Sequence, residues 1–306
     1  MKIRYLLALV WFIAVPAHAN TTLVVQLTPG QPIDILSRKI ASTLQNDLGT
    51  IVVENRFGAG GELAVKSVVG RPGDGKTLLV AVNGILSVTP HTKELSFDVF
   101  KDLTPVTILT RVPYVFFVGP MVPENARSVS AFLDLMKENE KFRLYGSPGQ
   151  GTVPELVAVV LFKNLGVQTQ VVRFRGSPDT VQNVMNPTAN VPSGFLMLSD
   201  IAHLLHDKRV PLAVSGHERS ALAPHVPTFR ELGFEVPDVS WSAVYAPADT
   251  PLEVRRRISA LIKKALTPDV IQWGANIGMT VYASTPEELA GFHESEFKRW
   301  GTILRK

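Results

Sequence analysis

The stretch LVVQLTPGQPIDILSR, residues 23–38, combines an apolar strand, a tight turn at residues 28–31 and a helix that opens at Pro32. A strand that passes through a glycine-containing turn into a helix points unpaired backbone N–H groups, and the positive end of the helix dipole, at one place. Asp34 lies at the helix start, where an acidic residue more readily stabilises the dipole or orients the turn than acts as a catalytic acid. Residues 23–38 therefore predict one half of an anion-binding site.

The same order of strand, turn and helix recurs along the chain. Residues 51–53 read as a strand, 54–61 as a glycine-rich loop and 62–69 as a helix. A third apolar strand at residues 77–82 ends at Asn83. Successive units of this kind predict an α/β fold with a parallel sheet, in which ligands bind at the carboxyl edge of the strands.

A second turn of the same type follows a later strand. Residues 142–145 form the predicted strand, GSPGQGT at residues 146–152 forms the turn, and Pro154 suits the first turn of the next helix. This arrangement predicts a second anion-binding turn built like the first. Taken alone, each glycine-rich loop could equally be a purely structural turn.

The chain length predicts two lobes, because 306 residues exceed the size at which one hydrophobic core usually keeps growing. Two segments can carry the chain between lobes: residues 105–118, whose apolar runs are broken by an Arg-Val-Pro sequence, and residues 240–247. We therefore expect lobe 1 to comprise residues 20–110 and 240–306, and lobe 2 to comprise residues 111–239.

The N-terminus has the three parts of a secretory signal peptide. Lys2 and Arg4 precede an apolar run at residues 5–15, and the small-x-small sequence AHA follows at residues 17–19. We expect cleavage near Ala19, which lowers the net charge from +4 to +2 because two positive side chains leave. No later stretch approaches the ~20 consecutive apolar residues of a membrane helix, so an exported, soluble protein is expected.

The composition also excludes several classes of protein. Hydrophobic residues make up 45% and charged residues 19% of the chain, a balance typical of globular proteins and not of disordered ones. Because there is no cysteine, neither a disulfide nor a lipid-anchored cysteine can form. The sequence has no basic block and no interleaving of aromatic and basic residues, so nucleic acid is not an expected partner.

Two motif matches fail on their context. Residues 70–77, GRPGDGKT, fit the phosphate-loop spacing, but that loop works between a strand and a following helix, and here a helix precedes and a strand follows. Ser147 could be the nucleophile of an exported hydrolase, although Tyr145 occupies the first glycine position of a G-x-S-x-G elbow. We find no catalytic triad, metal-ligand spacing or cofactor motif, and we expect no cofactor.

Three arginines are the cations best placed to meet an anion. Arg56, Arg173 and Arg175 lie at or near predicted strand-to-helix connections. The planar guanidinium can bind a carboxylate through two parallel hydrogen bonds. For each of them, a solvated loop arginine is the alternative interpretation.

A set of segments resembles the Bug receptors, the substrate-binding proteins of the tripartite tricarboxylate transporter (TctC-like) family. The segments are TPGQPID (28–34), VVENRFGAGG (52–61), GDGKTLL (73–79), YGSPGQGT (145–152), LAVSGHERS (212–220) with HVPTFRELG (225–233), and YAPADTP (245–251). They follow the order of the family and cover essentially all of the mature chain. The blocks at residues 52–61 and 145–152 are the most specific.

The resemblance implies a periplasmic binding protein of type II: two doubly wound α/β lobes, joined by a two-segment hinge, with a ligand cleft between them. It implies a receptor and not an enzyme, which captures a small carboxylate between two pincer loops and delivers it to the membrane components of a tripartite tricarboxylate transporter. We expect a monomer. The residues carried over as ligand-binding, with Arg175 added as the candidate cation, are Thr28, Gly30, Gln31, Asp34, Asn83, Ser147, Gly149, Gln150, Gly151 and Thr152.

The chain departs from the family pattern at positions that bear on the ligand. Gln31 stands where the family usually has a second glycine, and Glu155 stands where a histidine is common. The usual Pro and Tyr of a V-P-Y-K-G run are Arg173 and Phe174, and Leu196 stands where the family has an acidic or amide residue. The family's contacts to a second carboxylate are therefore not carried over to this chain.

The sequence thus predicts a periplasmic solute-binding receptor for carboxylate uptake. Two alternatives stay open. The first is a ligand-sensing receptor that presents its ligand to a signalling partner. The second is an exported serine hydrolase, which requires a histidine within hydrogen-bond reach of Ser147 Oγ.

Overall fold

The computed structural model describes residues 21–207, 210–234, 236–237 and 239–305, so the predicted signal peptide and its cleavage site lie outside the described residues. The strands within these ranges are β1 (Thr21–Val25), β2 (Ile51–Asn55), β3 (Thr77–Val82), β4 (Leu103–Val118), β5 (Leu144–Ser147), β6 (Gln170–Arg173), β7 (Ser193–Met197), β8 (Pro211–Val214), β9 (Val239–Pro247) and β10 (Thr280–Val281). The helices are α1 (Pro32–Leu48), α2 (Glu62–Val68), α3 (Thr89–Thr92), α4 (Val129–Glu138), α5 (Val153–Asn164), α6 (Ser177–Val184), α7 (Leu252–Ala265), α8 (Pro268–Ala275) and α9 (Pro286–Arg305).

Helix α1 illustrates why the sequence forms these elements. Its buried apolar residues recur every three or four positions on one face, at Ile33, Leu36, Ile40 and Leu44. Pro32 begins the helix, where its missing N–H costs nothing. Gly49 ends it with φ 72°, a left-handed conformation that glycine adopts without strain.

The strands form one mixed sheet in the order β2-β1-β3-β9-β4-β7-β5-β6, with β8 and β10 also paired to β4. β1 pairs in parallel with β2 and β3, and β5 pairs in parallel with β6 and β7, as the repeated strand–helix units predict. At the centre, β9 runs antiparallel to β3 and β4, and β4 runs antiparallel to β7. The prediction of a parallel sheet is therefore right on both sides and wrong at the centre, where β9 and β4 run antiparallel to each other and to their outer neighbours β3 and β7.

Strands β4 and β9 connect the two halves of the sheet. Residues 103–113 of β4 pair with β9, whereas residues 114–118 pair with β7 and β8. β4 runs straight through the Arg-Val-Pro sequence that separates its two apolar runs, and Arg111 lies 4.6 Å from the ring centre of Phe292. The lobe boundary at 110/111 falls inside β4, and it stays a prediction.

Each half of the sheet contains a buried cluster of its own, and a third cluster continues through both halves. In the second half, Phe116 packs with ring centroids 5.7 Å from Phe132 and 5.6 Å from Phe162. In the first half, Trp241 belongs to a separate buried cluster with aliphatic residues of α2 and β3. Two such clusters agree with the α/β two-lobe prediction and hold the edge loops of both halves in place.

Two sequence features have a simple structural outcome. The phosphate-loop match at residues 70–77 lies between α2 and β3, so it lacks the strand-to-helix context that the motif requires. Within the described ranges, no helix combines the length and the apolar character needed to cross a membrane.

Candidate functional site

The loops that follow β1, β2, β3, β5 and β6 meet at one cleft of about 280 Å³. Residues from both halves of the sheet line it, and Ser240 of β9 contributes from the centre. Within each half, parallel strands bring their carboxyl ends to one edge. The two halves run in opposite directions and are offset along β4, so both of these edges face the cleft. The cleft has the size of a site for a small organic molecule.

The structure divides the predicted ligand-binding residues into two groups. One group lines the cleft: Thr28, Gln31, Asn83, Gln150, Gly151 and Thr152. The other group does not line it: Gly30, Asp34, Ser147, Gly149 and Arg175. The two pincer loops, residues 28–31 and 146–152, therefore face one cavity, and part of the predicted set shapes the loops instead of facing the cavity.

Asp34 shapes the first pincer loop. Its carboxylate is only 2% exposed and accepts hydrogen bonds from Gly30 N–H at 2.8 Å, from Asn55 Nδ2 at 2.8 Å and from Arg38 Nε at 3.1 Å. Burial alone would raise the pKa of Asp34, but the hydrogen bonds from Arg38, Gly30 and Asn55 outweigh it and hold that pKa below its usual value. The interpretation of Asp34 as a residue that orients the turn fits this geometry.

Ser147 and Glu155 shape the second pincer loop. Ser147 is fully buried, and its Oγ lies 2.9 Å from Glu155 Oε2 and 3.1 Å from Gly149 O. Thr152 Oγ1 donates to Gly149 O at 2.8 Å, which closes the loop on itself. Arg173 holds Glu155 from the other side, with Nη2 3.0 Å from Glu155 Oε1. Arg173 is thus engaged within the protein and is not the anion-binding cation that the sequence suggested.

A common device fixes the loops before α1, α5 and α6. Each of these helices has a proline in its first turn and an acidic residue at its third position, namely Asp34, Glu155 and Asp179. Each acid accepts a hydrogen bond from the loop that leads into its helix: from Gly30 N–H, Ser147 Oγ and Arg175 N–H, respectively. The device resembles the reciprocal half of a capping box. The Pro-then-acid spacing could have revealed that Glu155 and Asp179 fix the loops before their helices, a role that sequence reasoning missed.

The second pincer loop leaves backbone N–H groups for a ligand, whereas in the first loop Gly30 N–H is bonded to Asp34 and Gln31 N–H to Thr28 O. In the second loop, the N–H groups of Gln150 and Gly151 have no acceptor among the described residues. Gly151 has φ 70°, so this turn depends on glycine. The two loops lead into the 17-residue α1 and the 12-residue α5, whose N-termini therefore border the same cavity. Such a pair of termini is suited to hold a carboxylate from two sides.

The floor of the cleft is a polar network that sequence reasoning found only in part. Gln26 was missed: it is buried, and its amide donates to Gly60 O at 3.2 Å and accepts from Val82 N–H at 3.0 Å. Asn83 was predicted, and its amide oxygen accepts from Ser240 Oγ at 3.2 Å. The Gln26 contacts tie β1, β3 and the glycine-rich loop together, so the floor is held rigidly.

The wall beside the second pincer loop contains Ser177 and Met197. Ser177 Oγ donates to Asp200 Oδ2 at 2.7 Å. Burial raises the pKa of Asp200 to about 6, against the opposing hydrogen bonds from Ser177 and the Met197 N–H. Sequence reasoning missed this pair, because Ser177 and Asp200 come together only through the packing of α6 against the segment after β7.

The cleft lining carries no ionisable side chain among the described residues. Arg56 is exposed and pairs with Glu54 at 2.6 Å, so the expectation that it meets an anion has no support. Arg175 is exposed as well and does not line the cleft. An anion in this site would therefore be held by amides and helix dipoles.

The contacts of Ser147 argue against the hydrolase alternative. Its Oγ is engaged by Glu155 and the Gly149 backbone, and no histidine among the described residues bonds to it. A serine nucleophile needs a base within hydrogen-bond reach. Ser147 is also fully buried, so a substrate could not reach it.

Comparisons with known proteins agree with this geometry. A protein-family model described as "Tripartite tricarboxylate transporter family receptor" matches residues 36–306. The protein BugT of Bordetella pertussis is 28% identical over 310 residues, which cover 96% of this chain and 93% of BugT.

Two solved structures are similar over nearly their full length. R. palustris Rpa4515 with adipate is 26% identical, with a TM-score of 0.81 and coverage of 94% of this chain and 96% of that chain. MatC (Rpa3494) from Rhodopseudomonas palustris with bound malate is 27% identical, with a TM-score of 0.80 and coverage of 93% and 98%. The fold is thus shared with two proteins whose structures contain adipate and malate.

Proposed function

Because the chain belongs to the tripartite tricarboxylate transporter family of receptors, whose members are solute-binding proteins and not enzymes, we propose that it captures a small organic carboxylate for uptake. The observation that carries this proposal is the meeting of two glycine-containing loops, each leading into a helix N-terminus, at one cleft without ionisable side chains. The adipate and malate held by the two similar structures support the same class of ligand.

We assign the predicted residues to two roles in this capture. Thr28, Gln31, Gln150, Gly151 and Thr152 contact the ligand, and Asn83 contacts it from the floor. Gly30, Asp34, Ser147 and Gly149 hold the loops in the shape that exposes their amides. The backbone donors stabilise the carboxylate because the loops are already fixed before the ligand arrives.

Closure of the two lobes would complete the site. The proposed lobes, residues 20–110 with 240–306 and residues 111–239, are connected through β4 and through the chain entering β9. The pairing of β4 with β9 shifts register twice, between Pro105 and Thr107 and between Ile108 and Thr110. Such irregular pairing near a crossing suits a hinge that absorbs small backbone changes.

Export and delivery complete the proposal. The signal-like N-terminus and the family support removal of residues 1–19 near Ala19 and a periplasmic location for a monomeric receptor.

The partner is the membrane component pair of a tripartite tricarboxylate transporter. Uptake of the ligand by cells that carry or lack those components separates this role from signalling, because a sensor would leave uptake unchanged.

A thermal-shift screen tests the central function. The panel contains mono-, di- and tricarboxylates, amino acids and aromatic acids, each added to the mature protein. A ligand at one hundred times its dissociation constant should raise the free energy of unfolding by ~2.7 kcal/mol. The matched control is Gly151→Val, which puts a β-branched residue at φ 70° and should weaken every ligand. If no carboxylate shifts the melting temperature of the wild-type protein, the proposal fails.

A further inference from the structure

The hydrogen bond between Ser177 and Asp200 determines whether the cleft wall can donate or accept a hydrogen bond. Ser177 lines the cleft, and its hydroxyl donates its single proton to Asp200 Oδ2 at 2.7 Å. The Asp200 carboxylate is itself anchored by the Met197 N–H. A serine hydroxyl that has given its proton to a carboxylate can only accept a further hydrogen bond. Ser177 therefore offers the ligand an acceptor.

The starts of α1, α5 and α6 each carry one acidic residue in the first turn, but the start of α6 has a second carboxylate, Asp200, beside it. Asp179 in its first turn accepts from Arg175 N–H at 3.2 Å, and Asp200 binds the Ser177 hydroxyl. Pro178 contributes no N–H, and Thr180 N–H is bonded to Gly176 O. Asp200 thus places a negative charge directly behind Ser177, at the helix start that a second ligand carboxylate would approach, and like charges repel.

Among the described residues, the remaining lining around Ser177 adds no cation. Met197 is the neighbouring lining residue on this wall, and Phe57 lines the cleft from the other half. Arg173 is bound to Glu155, and the exposed Arg175 does not line the cleft. A second carboxylate at this wall would lose its hydration without gaining a cationic partner among the described lining residues.

We propose that the Ser177–Asp200 pair makes this receptor selective for monocarboxylates that carry a hydroxyl or ammonium group, and that it rejects a second carboxylate. The inference rests on the proposed function, because it assumes that the pincer loops hold the first carboxylate. Ser177 Oγ accepts from the donor of the ligand, and the charge of Asp200 favours a cationic donor over a neutral one. Asp200 acts through Ser177 and is a positioning residue.

Isothermal calorimetry at pH 8, where Asp200 is ionised, tests the proposal on a matched set of four-carbon acids. The set comprises butyrate, the 2-, 3- and 4-hydroxybutyrates, the 2-, 3- and 4-aminobutyrates, and succinate. In the wild-type protein at least one hydroxy or amino acid should bind about tenfold tighter than butyrate, which corresponds to one good hydrogen bond. Succinate should bind more weakly than that acid.

Two variants at the pair assign the preference. Ser177→Ala should reduce the affinity of the preferred acid to that of butyrate and leave butyrate itself unchanged. Asp200→Asn keeps an acceptor for the Ser177 hydroxyl but removes the negative charge. It should therefore reduce the difference in affinity between the preferred acid and succinate. The matched control Asp179→Asn removes a charge from the same helix start without touching Ser177, and it should keep the order of affinities.

The contrary outcomes are distinct. If succinate is the tightest ligand of the wild-type protein, the inference is overturned and Arg175 becomes the candidate partner of a second carboxylate. If Ser177→Ala still binds the hydroxy or amino acid more tightly than butyrate, the Ser177–Asp200 pair does not select the ligand. The same follows if Asp179→Asn changes the affinity of succinate relative to that acid as much as Asp200→Asn does. If no carboxylate of any kind binds, it is the proposed function that has failed.

Discussion

Gln31 distinguishes the first pincer loop of this chain from that of the family, which usually has a second glycine at this position. It precedes α1 with extended backbone angles, its side chain lines the cleft, and its amide bonds to no other described side chain. Its position at the helix boundary means that the side chain is free to meet a ligand, because the loop itself is held by Asp34. A side-chain amide can donate and accept, so it can discriminate between ligand groups.

Replacing Gln31 by glycine should therefore change ligand preference without unfolding the protein. Glycine is tolerated at an N-cap position, so the free energy of unfolding should fall by less than ~1 kcal/mol. Loss of one hydrogen bond of ~0.5–1.5 kcal/mol should alter relative affinities across the carboxylate panel by up to about tenfold. Calorimetric titration of both proteins measures the change, and equal relative affinities would show that this side chain does not select.

The raised pKa of Asp200 makes a separate prediction about stability. Its pKa is about 6 in the folded protein against 3.8 for the unperturbed side chain. The fold therefore favours the protonated acid, and the stability associated with it is full below pH 3.8 and is lost as the pH rises through about 6. Asp200→Asn should consequently be more stable than the wild-type protein at pH 7.5, by ~1–3 kcal/mol after allowance for partial exposure.

Urea unfolding of both proteins at pH 4 and pH 7.5 measures this difference. The advantage of Asp200→Asn should be present at pH 7.5 and nearly absent at pH 4, where both side chains are neutral. An advantage of the same size at both pH values would mean that the ionisation of Asp200 is not what destabilises the fold.

The sequence predicts residue roles that depend on neighbouring residues, but not roles that depend on contacts between distant segments. The strand–turn–helix pattern predicted both turns because it is local in sequence, and the family resemblance supplied Thr28, Gln31 and Gln150 as residues that line the cleft. It could not predict that Ser177 meets Asp200, since that contact depends on tertiary packing. It also placed Asp34 among the ligand contacts, although hydrogen bonds from its own loop occupy the carboxylate.

At the scale of elements, the second pincer loop is braced by a contact between α5 and β6. Glu155 on α5 is buried and Arg173 on β6 is half-exposed, with the guanidinium bonded to both carboxylate oxygens. Both residues depart from the family pattern, and the structure explains the two departures together as one ion pair. A single sequence shows each departure, but only the pairing of β5 with β6 shows that they compensate each other.

The two members of this pair should differ in what their removal costs. Arg173→Leu leaves a buried carboxylate with only Ser147 to bind it and should lower the free energy of unfolding. Glu155→Gln leaves an exposed guanidinium in water and should cost less. A double-mutant cycle measured by urea unfolding checks this, and additive effects would mean that the pair does not brace the loop.

At the scale of the whole molecule, the sheet explains why one cleft exists. Two sets of parallel strands, joined through β4 and β9, bring their carboxyl edges together at the cleft. The alternation of strands and helices predicted the two sets. It could not predict the antiparallel centre, because the direction of a crossing strand is decided by how the halves pack and not by its apolar run.

The central claim is that both pincer loops hold one carboxylate. The most direct test is a crystal structure of the mature protein with the carboxylate that gives the largest thermal shift. We expect the oxygens of one carboxylate to lie about 3 Å from donors of both loops, including the N–H groups of Gln150 or Gly151 in the second. A ligand held by only one loop, or bound outside the cleft, would contradict the account.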